Sequence, residues 1–347
     1  MTDNTLTGLG WRPHFATQVD AADDGLAPVR ALAVHRGRAD VLGAEFEGSV
    51  TLTGKAATMD VTVGDWLLIE PSGPSAVRRL DRFGQFQRRA AGTSGDIQTI
   101  AANVDTLFIV TSANRDFNIA RLERYLAIAQ DAGAYPVIVI TKADTVDSVT
   151  EFVNEAVRLA PGLLVEPLDA RDPEQVAVLR SWCKPGQTVA LVGSSGVGKS
   201  TLINTLTGEH LATHAVREDD QRGRHTTTSR SMHPLPDGGW LIDTPGMREL
   251  QLVDVHDAIE DVFSEITELA NSCRFGDCTH TSEPGCAVLA AIEQGELDSD
   301  RLRRYQKLLS EDRRNTESLA ERRARDRSTG RLYRSILADK EREKSSK

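Results

Sequence analysis

Residues 188–201 read TVALVGSSGVGKST, a short apolar run that leads into a glycine-rich turn and then into the start of a helix. The residues from Gly193 to Ser200 match the pattern G-x-x-x-x-G-K-[ST] in the strand-to-helix context that this pattern requires. Glycines allow backbone N–H groups to turn inward at a helix N-terminus, where they can bind phosphate oxygens. The segment therefore predicts a nucleotide-phosphate loop inside an α/β domain.

Each position near this loop has an expected role. We expect Lys199 to contact the β- and γ-phosphate oxygens and the Ser200 hydroxyl to bind Mg²⁺. Downstream, GGWLIDTPG at 238–246 predicts a second strand, with Asp243 holding Mg²⁺ through water and the Gly246 N–H sensing a γ-phosphate. The residues of the loop that we expect around the phosphates are Gly193, Ser194, Ser195, Gly196, Val197, Gly198, Lys199, Ser200 and Thr201.

The apolar run at 136–140 ends in a variant of the guanine-specificity motif N-K-x-D, namely Thr141, Lys142, Ala143 and Asp144. An aspartate can accept hydrogen bonds from the ring N–H and the exocyclic amine of guanine, which adenine does not offer, while the lysine stem packs over the base. Because Thr141 stands where asparagine is usual, ATP stays open as a rival nucleotide.

Length and composition indicate an ordinary globular protein of several domains. A chain of 347 residues fits two or three domains, and 39% hydrophobic with 27% charged residues is typical of a folded protein. A formal net charge of -10 does not suggest a general nucleic-acid coat, so RNA contacts require local basic patches. No run approaches the ~20 apolar residues of a membrane helix, and the N-terminus lacks a signal pattern. We therefore expect a cytoplasmic location.

Changes in residue pattern along the chain predict four segments. Residues 1–28 show no period and are expected to be a loose tail. Short β-type runs divided by glycines predict a small antiparallel barrel of the OB-fold type over 29–96. Apolar runs alternating with helical patterns predict a parallel sheet over 97–255, and 256–347 reads as a helical, metal-binding region.

Basic residues of the predicted barrel leave two interpretations open. They are the turn at Arg36–Arg38 and the cluster Arg78, Arg79, Arg82, Arg88 and Arg89. Such residues can follow a phosphate backbone across a barrel of this kind, or they can form a solvated strand face.

Three of the four cysteines lie together with a histidine near residue 280. The spacing Cys273-x₄-Cys278-x-His280-x₅-Cys286 supplies a complete tetrahedral set, as expected for a structural Zn²⁺. The remote Cys183 is expected to be a core residue.

The order of the motifs is unusual, because the base motif at 141 precedes the phosphate loop at 193. This order predicts a circularly permuted GTPase. The chain resembles the circularly permuted, ribosome small-subunit-dependent GTPase A family over nearly its whole length. The resemblance rests on this order and on the segments VHRGRADV, QTIAANVD, GRHTTT and DTPG and the cysteine cluster. The resemblance implies GTP or GDP as ligand, the 30S ribosomal subunit and its 16S rRNA as partners, and subunit-stimulated GTP hydrolysis late in assembly. We expect a monomer. A non-catalytic, rRNA-binding zinc protein with a structural nucleotide is the alternative.

The polar segment 209–230 is long enough to be a switch. Within GRHTTT, Thr227 is expected to complete the Mg²⁺ shell, with Thr226 as the competitor. Met247 stands where many GTPases carry a water-positioning glutamine, and a thioether cannot replace it. We therefore expect slow intrinsic hydrolysis, with the missing group supplied by His225, by another switch element or by the ribosome. His225 is our hypothesis for the residue that positions the water, and the alternative is that it only shapes the loop. Gly196 stands where potassium-activated relatives place asparagine, so K⁺ dependence is not predicted.

Overall fold

A closed barrel and a parallel sheet organise the chain, of which the computed structural model describes residues 5–52, 58–89, 97–208, 231–243, 250 and 252–316. Five strands form the barrel: β1 (Ala27–His35), β2 (Arg38–Gly43), β3 (Glu47–Thr51), β4 (Trp66–Glu70) and β5 (Ser75–Arg79). They pair in the cyclic order β1-β2-β3-β5-β4-β1. This closed five-stranded ring confirms the predicted OB-type barrel. Its interior is filled by small and branched side chains, among them Val29, Val41, Val50, Leu67 and Ile69.

A hairpin and a larger sheet follow the barrel. The hairpin consists of β6 (Gln85–Arg89) and β7 (Ile97–Ala102). The sheet contains β8 (Thr106–Ser112), β9 (Tyr135–Thr141), β10 (Leu164–Pro167), β11 (Thr188–Val192), β12 (Ser231–Pro234) and β13 (Trp240–Asp243). Its order is β10-β9-β8-β11-β13-β12, with β12 antiparallel and the others parallel. One pairing, Ala33 with Ser231, joins this sheet to the barrel.

The central strands are apolar throughout because both faces of the sheet are covered. Alternate residues of β8 contribute to two different cores: Phe108 and Val110 to one, Leu107 and Ile109 to the other. The first core also receives α5 (Lys199–Thr207), and the second receives α2 (Ile119–Asp131). Asn118 caps α2, since its side-chain oxygen accepts from the Arg121 N–H at 2.9 Å. The short α3 (Thr150–Val157) and α4 (Pro173–Val176) complete the layers.

The described part of the C-terminal region, residues 252–316, contains four helices: α6 (His256–Val262), α7 (Ser264–Ala270), α8 (Ala287–Glu293) and α9 (Ser299–Thr316). A buried ionic cluster fastens α9 to the sheet domain. Glu123 of α2, which is 0% exposed, accepts from Arg301 Nη1 and from Arg304 Nε, each at 2.8 Å. The Arg301 guanidinium also donates to two backbone carbonyls and lies 4.0 Å from the Phe263 ring centroid. Removing the donors of such a buried carboxylate would strongly destabilise the fold, because an unpaired charge would remain in the interior.

The prediction of a loose tail over 1–28 is wrong for its described part, residues 5–28. Leu9 and Phe15, the latter in α1 (Pro13–Ala16), are fully buried. The Gly8 carbonyl accepts from Trp240 Nε1 at 3.0 Å, and Arg12 pairs with Asp105 at 2.6 Å. The segment shows no hydrophobic periodicity because it is irregular in structure and packs between the barrel and the sheet, where tertiary contacts determine which apolar residues are buried. The other predicted boundaries, at 96/97 and 255/256, stay predictions.

Four arginines of the predicted basic cluster bond to protein groups. Arg88 donates to Gln98 Oε1 at 3.5 Å. Arg82 donates to both oxygens of the fully buried Asp65, at 2.7 and 2.8 Å. Arg78 pairs with Asp23, and Arg79 donates to the Met59 carbonyl. These side chains hold the barrel and its neighbouring segments together, which favours a structural role for them over RNA contact.

The helices of the described residues bear on membrane insertion. None of those helices is both long and apolar enough to cross a bilayer.

Candidate functional site

The phosphate loop lies between β11 and α5, at the carboxyl edge of the parallel sheet. Its backbone requires glycine at the first position. Gly193 has φ +143°, and a Cβ there would lie 2.1 Å from the Val110 carbonyl oxygen of the neighbouring strand. Gly196 and Gly198 also have positive φ values, which lets the loop curl in front of the first turn of α5.

Lys199 begins α5, and its side chain is buried. Its Nζ donates to the Gly193 carbonyl at 2.7 Å and to the Ser194 carbonyl. The ammonium group therefore lies over the concave side of the loop, where a phosphate chain binds in proteins with this motif. Ser200 and Thr201 follow it in the first turn of α5.

The base motif meets the phosphate loop directly. Thr141, the last residue of β9, is fully buried, and its Oγ1 lies 2.5 Å from the Val197 carbonyl oxygen and 3.0 Å from that of Thr111. A Cβ on Gly198 would lie 3.3 Å from the same hydroxyl. Thr141 thus supplies a contact between the two loops through a single hydroxyl.

The next residues turn away from the strand. Lys142 has a left-handed backbone with φ +57°, and Ala143–Thr145 form a short 3₁₀ turn. The Lys142 carbonyl accepts from Thr145 Oγ1 at 2.8 Å. This turn carries Asp144 on the same edge of the sheet as the phosphate loop, as a shared nucleotide pocket requires.

Sequence reasoning missed the loop after β10, which lies beside the base motif. Arg171 Nη2 lies 2.7 Å from Asp144 Oδ2 and 2.9 Å from Asp169 Oδ2. The hydrogen bond from Arg171 lowers the pKa of Asp169. The loop could have been found by rule, since ligands bind at the carboxyl ends of parallel strands and β10 is one of them.

Of the other predicted magnesium, switch and γ-phosphate residues, the structure describes only one. Asp243 ends β13, the strand beside β11, and so lies on the same sheet edge as the phosphate loop. The predicted switch residues His225, Thr226 and Thr227 and the residues Gly246 and Met247 lie outside the described residues.

A cleft of about 610 Å³ opens beside the phosphate loop. Gly193, Ser194 and Ser195 form one wall, and the others come from α2, α9 and Leu250. Arg124 connects these walls, since it donates to Glu311 at 2.8 Å and to the Leu250 carbonyl at 3.0 Å. The remaining basic residues of the cleft are Arg121, Arg304 and Lys307. Helix α9 therefore lies next to the site where phosphates are expected.

The four predicted metal ligands come together in one cluster. The ligand atoms of Cys273, Cys278, His280 and Cys286 all lie within 4.8 Å of one another. His280 Nδ1 is 3.4 Å from Cys286 Sγ and 3.7 Å from Cys273 Sγ, and the two sulfurs are 3.9 Å apart. A tetrahedron with Zn–S near 2.3 Å and Zn–N near 2.0 Å has edges of roughly 3.5–3.8 Å, so the donor set fits such an ion.

Neighbouring groups support this cluster. Burial lowers the pKa of His280, which favours the neutral imidazole that binds metals. Glu283 accepts from the backbone N–H groups of Thr279 and Thr281 at 2.9 and 2.8 Å, and its pKa is lowered by these and related hydrogen bonds, first the one from the Thr279 hydroxyl. Gln306 of α9 donates to the Thr279 and His280 carbonyls, which joins the cluster to that helix.

Cys183 lies apart from this cluster. It is 1% exposed, and burial raises the pKa of its thiol to about 12. A thiol in this state is a core group, as predicted.

Comparisons with known proteins agree with this architecture. Among solved structures, YjeQ from Thermotoga maritima superposes with a TM-score of 0.62 at 24% identity, covering 82% of this chain and 98% of that one. YloQ, described as a circularly permuted GTPase, gives 0.59 at 20% identity and covers 86% and 99%. These likenesses confirm the predicted fold class, with its permuted order of motifs.

Sequence relatives identify the family. The chain is 49% identical to the small ribosomal subunit biogenesis GTPase RsgA 2 of Vibrio parahaemolyticus, over 99% of this chain and 96% of the relative. It is 52% identical to the small ribosomal subunit biogenesis GTPase RsgA of Mesorhizobium japonicum, over 90% and 91%. A family model described as RsgA GTPase matches residues 79–253. With the phosphate loop, the base motif and the cysteine cluster all in place, the chain belongs to the RsgA GTPase family.

Proposed function

We propose that this protein binds GTP, hydrolyses it, and uses the reaction in biogenesis of the small ribosomal subunit. One observation carries the nucleotide assignment: the contact at 2.5 Å between Thr141 Oγ1 and the Val197 carbonyl, which unites base motif and phosphate loop across 56 residues. The names of the relatives support the ribosomal role. The non-catalytic alternative is not favoured, because those relatives are named as GTPases.

The nucleotide is assigned to the edge of the sheet described above. In our proposal the backbone from Gly193 to Thr201 and the ammonium of Lys199 hold the phosphates, and the carboxylate of Asp144 accepts from guanine. Ser200, Asp243 and Thr227 would hold Mg²⁺, which neutralises charge on the phosphate oxygens when bound. Gly246 would contact the γ-phosphate.

Hydrolysis requires a water molecule in line with the γ-phosphate. Met247 has no group that orients water, so we assign that task to His225 and expect the partner subunit to bring the switch into its active arrangement. Intrinsic turnover is then slow, and the reaction is coupled to the presence of the 30S subunit late in its assembly.

The C-terminal region is assigned to partner contact. We propose that the Cys273, Cys278, His280 and Cys286 cluster binds one structural Zn²⁺, since all four positions are protein ligands and none is left for a substrate. Through Arg124 and α9 this region adjoins the nucleotide site, which supports a link between nucleotide state and contacts to 16S rRNA. We further propose that the protein acts as a monomer in the cytoplasm.

The decisive experiment measures phosphate release from GTP with and without purified 30S subunits. We expect strong stimulation by 30S and little by 50S subunits. Lys199→Ala should abolish the stimulated rate, whereas Lys184→Ala, at an exposed lysine of the same domain, should not change it. Absence of stimulation in the wild-type protein would refute the proposed activity.

The base assignment has its own test. Asp144→Asn should lower the affinity for GDP and raise that for xanthosine diphosphate, because the asparagine NH₂ can donate to the 2-oxo group that xanthine carries in place of the 2-amino group of guanine, while the amide oxygen still accepts from the ring N–H. His225→Ala should reduce the stimulated rate without changing GDP affinity. Unchanged turnover in that variant would limit His225 to shaping the loop.

A further inference from the structure

Arg171 lies in the loop after β10 and contacts the side chain that reads the base in the proposed function. Its Nη2 is 2.7 Å from Asp144 Oδ2. The two loops also meet through their backbones, since the Ala143 N–H donates to the Leu168 carbonyl at 3.4 Å. An arginine therefore adjoins the guanine-recognition motif, although it is 27 residues away in sequence.

Asp169 anchors this arginine independently of Asp144. Arg171 Nε lies 3.0 and 3.2 Å from the two carboxylate oxygens of Asp169, and Nη2 lies 2.9 Å from Oδ2. Asp169 Oδ1 also accepts from the Arg171 backbone N–H at 2.9 Å. In turn, the Asp169 N–H donates to Gln175 Oε1 at 2.9 Å. The guanidinium is thus held by its own loop in an orientation that presents Nη2 to Asp144.

The contact leaves Asp144 able to bind a base. An ionised carboxylate offers about four acceptor positions on two oxygens. Arg171 uses one of them, on Oδ2, and the Asp144 side chain is 34% exposed. Guanine requires two acceptors, one for the ring N–H and one for the 2-amino group. Arginine and guanine can therefore share this carboxylate.

We propose that Arg171, fixed by Asp169, is a positioning residue for guanine recognition: it holds the Asp144 carboxylate so that both oxygens face the two base donors at once. This inference rests on the proposed GTP-binding function. A carboxylate that is already oriented loses less rotational freedom on binding, which raises affinity. The benefit is larger for a ligand with two donors than for a ligand with one, because only the former depends on both oxygens together.

The test uses the full chain and competition against a fluorescent GDP analogue. GDP is compared with inosine diphosphate, which lacks the 2-amino group. For an exposed ion pair of this kind we expect Arg171→Ala to weaken GDP by about threefold to fivefold and inosine diphosphate by less than about twofold. Arg158→Ala, at the exposed arginine that follows the last residue of α3, is the matched control and should change neither value.

The anchor provides a second readout. Asp169→Asn should reduce the ratio of GDP affinity to inosine diphosphate affinity, as Arg171→Ala does. The double variant should lose no more GDP affinity than Arg171→Ala alone, because Asp169 acts through Arg171. Unchanged or tighter GDP binding in Arg171→Ala would overturn the inference, as would an equal loss for both nucleotides. If wild-type protein showed no preference for GDP over ADP, the proposed function itself would fail, which is a separate and earlier outcome.

Discussion

Thr141→Val isolates the contact that joins the two nucleotide loops. The substitution nearly conserves shape and removes a hydroxyl that is 0% exposed and lies 2.5 and 3.0 Å from two backbone carbonyl oxygens. A hydroxyl carries one hydrogen, so it satisfies one of these acceptors at a time. Losing that hydrogen bond while its buried acceptor remains should cost about 1–2 kcal/mol of unfolding free energy.

Calorimetry of the nucleotide-free protein measures the effect. Because 1 kcal/mol shifts the midpoint of a domain of this size by about 2–4 °C, the expected drop is about 2–8 °C. Thr188→Val is the matched control: Thr188 is also fully buried in the sheet, and its Oγ1 makes no hydrogen bond within the described residues. That variant should be neutral or slightly more stable. Equal midpoints for the two valine variants would refute the reasoning.

Three further predictions concern other parts of the molecule. Cys278→Ser should release the metal ion and unfold the C-terminal region, as measured by metal content and protease sensitivity, whereas Cys183→Ser should retain one equivalent of Zn²⁺. Glu123→Gln should destabilise the protein by about 3 kcal/mol, measured by urea titration, because two arginines of α9 lose their buried partner charge. Partial desolvation and the carboxylates of Asp254 and Asp312 raise the pKa of Asp131 to about 6. The protonated carboxyl therefore adds to the free energy of unfolding below the unfolded-state pKa, and this contribution is lost as pH rises through about 6. Asp131→Asn should therefore raise stability at pH 8 by about 1 kcal/mol, after discounting for solvent screening, and by nothing near pH 3; a gain that is independent of pH would contradict this assignment.

Tertiary contacts corrected one prediction from the sequence and bore on a question that the sequence left open. Leu9 and Phe15 show no helical or strand period, yet they are fully buried in an irregular segment at the barrel. Arg82 belongs to a cluster for which RNA contact and a solvated strand face were both open, and it is paired with the buried Asp65. Composition cannot distinguish a charge that faces solvent from one that has a buried partner, because the partner is brought near only by folding.

The amino-acid sequence by itself determined the phosphate loop, the cysteine cluster and the permuted order of motifs. For the loop and the cluster the chemistry depends on residues within about 15 positions of one another, where spacing alone restricts geometry, and the order of the motifs follows directly from their positions along the chain. Only the tertiary structure decided which distant residues meet, both at the nucleotide site and where α9 packs on the sheet domain. Thr141 meets Val197 across 56 residues, Arg171 meets Asp144 across 27, and Arg301 meets Glu123 across 178. Such pairs form because parallel strands bring their carboxyl ends to one edge of the sheet and helices pack across it. No local sequence pattern predicts these contacts.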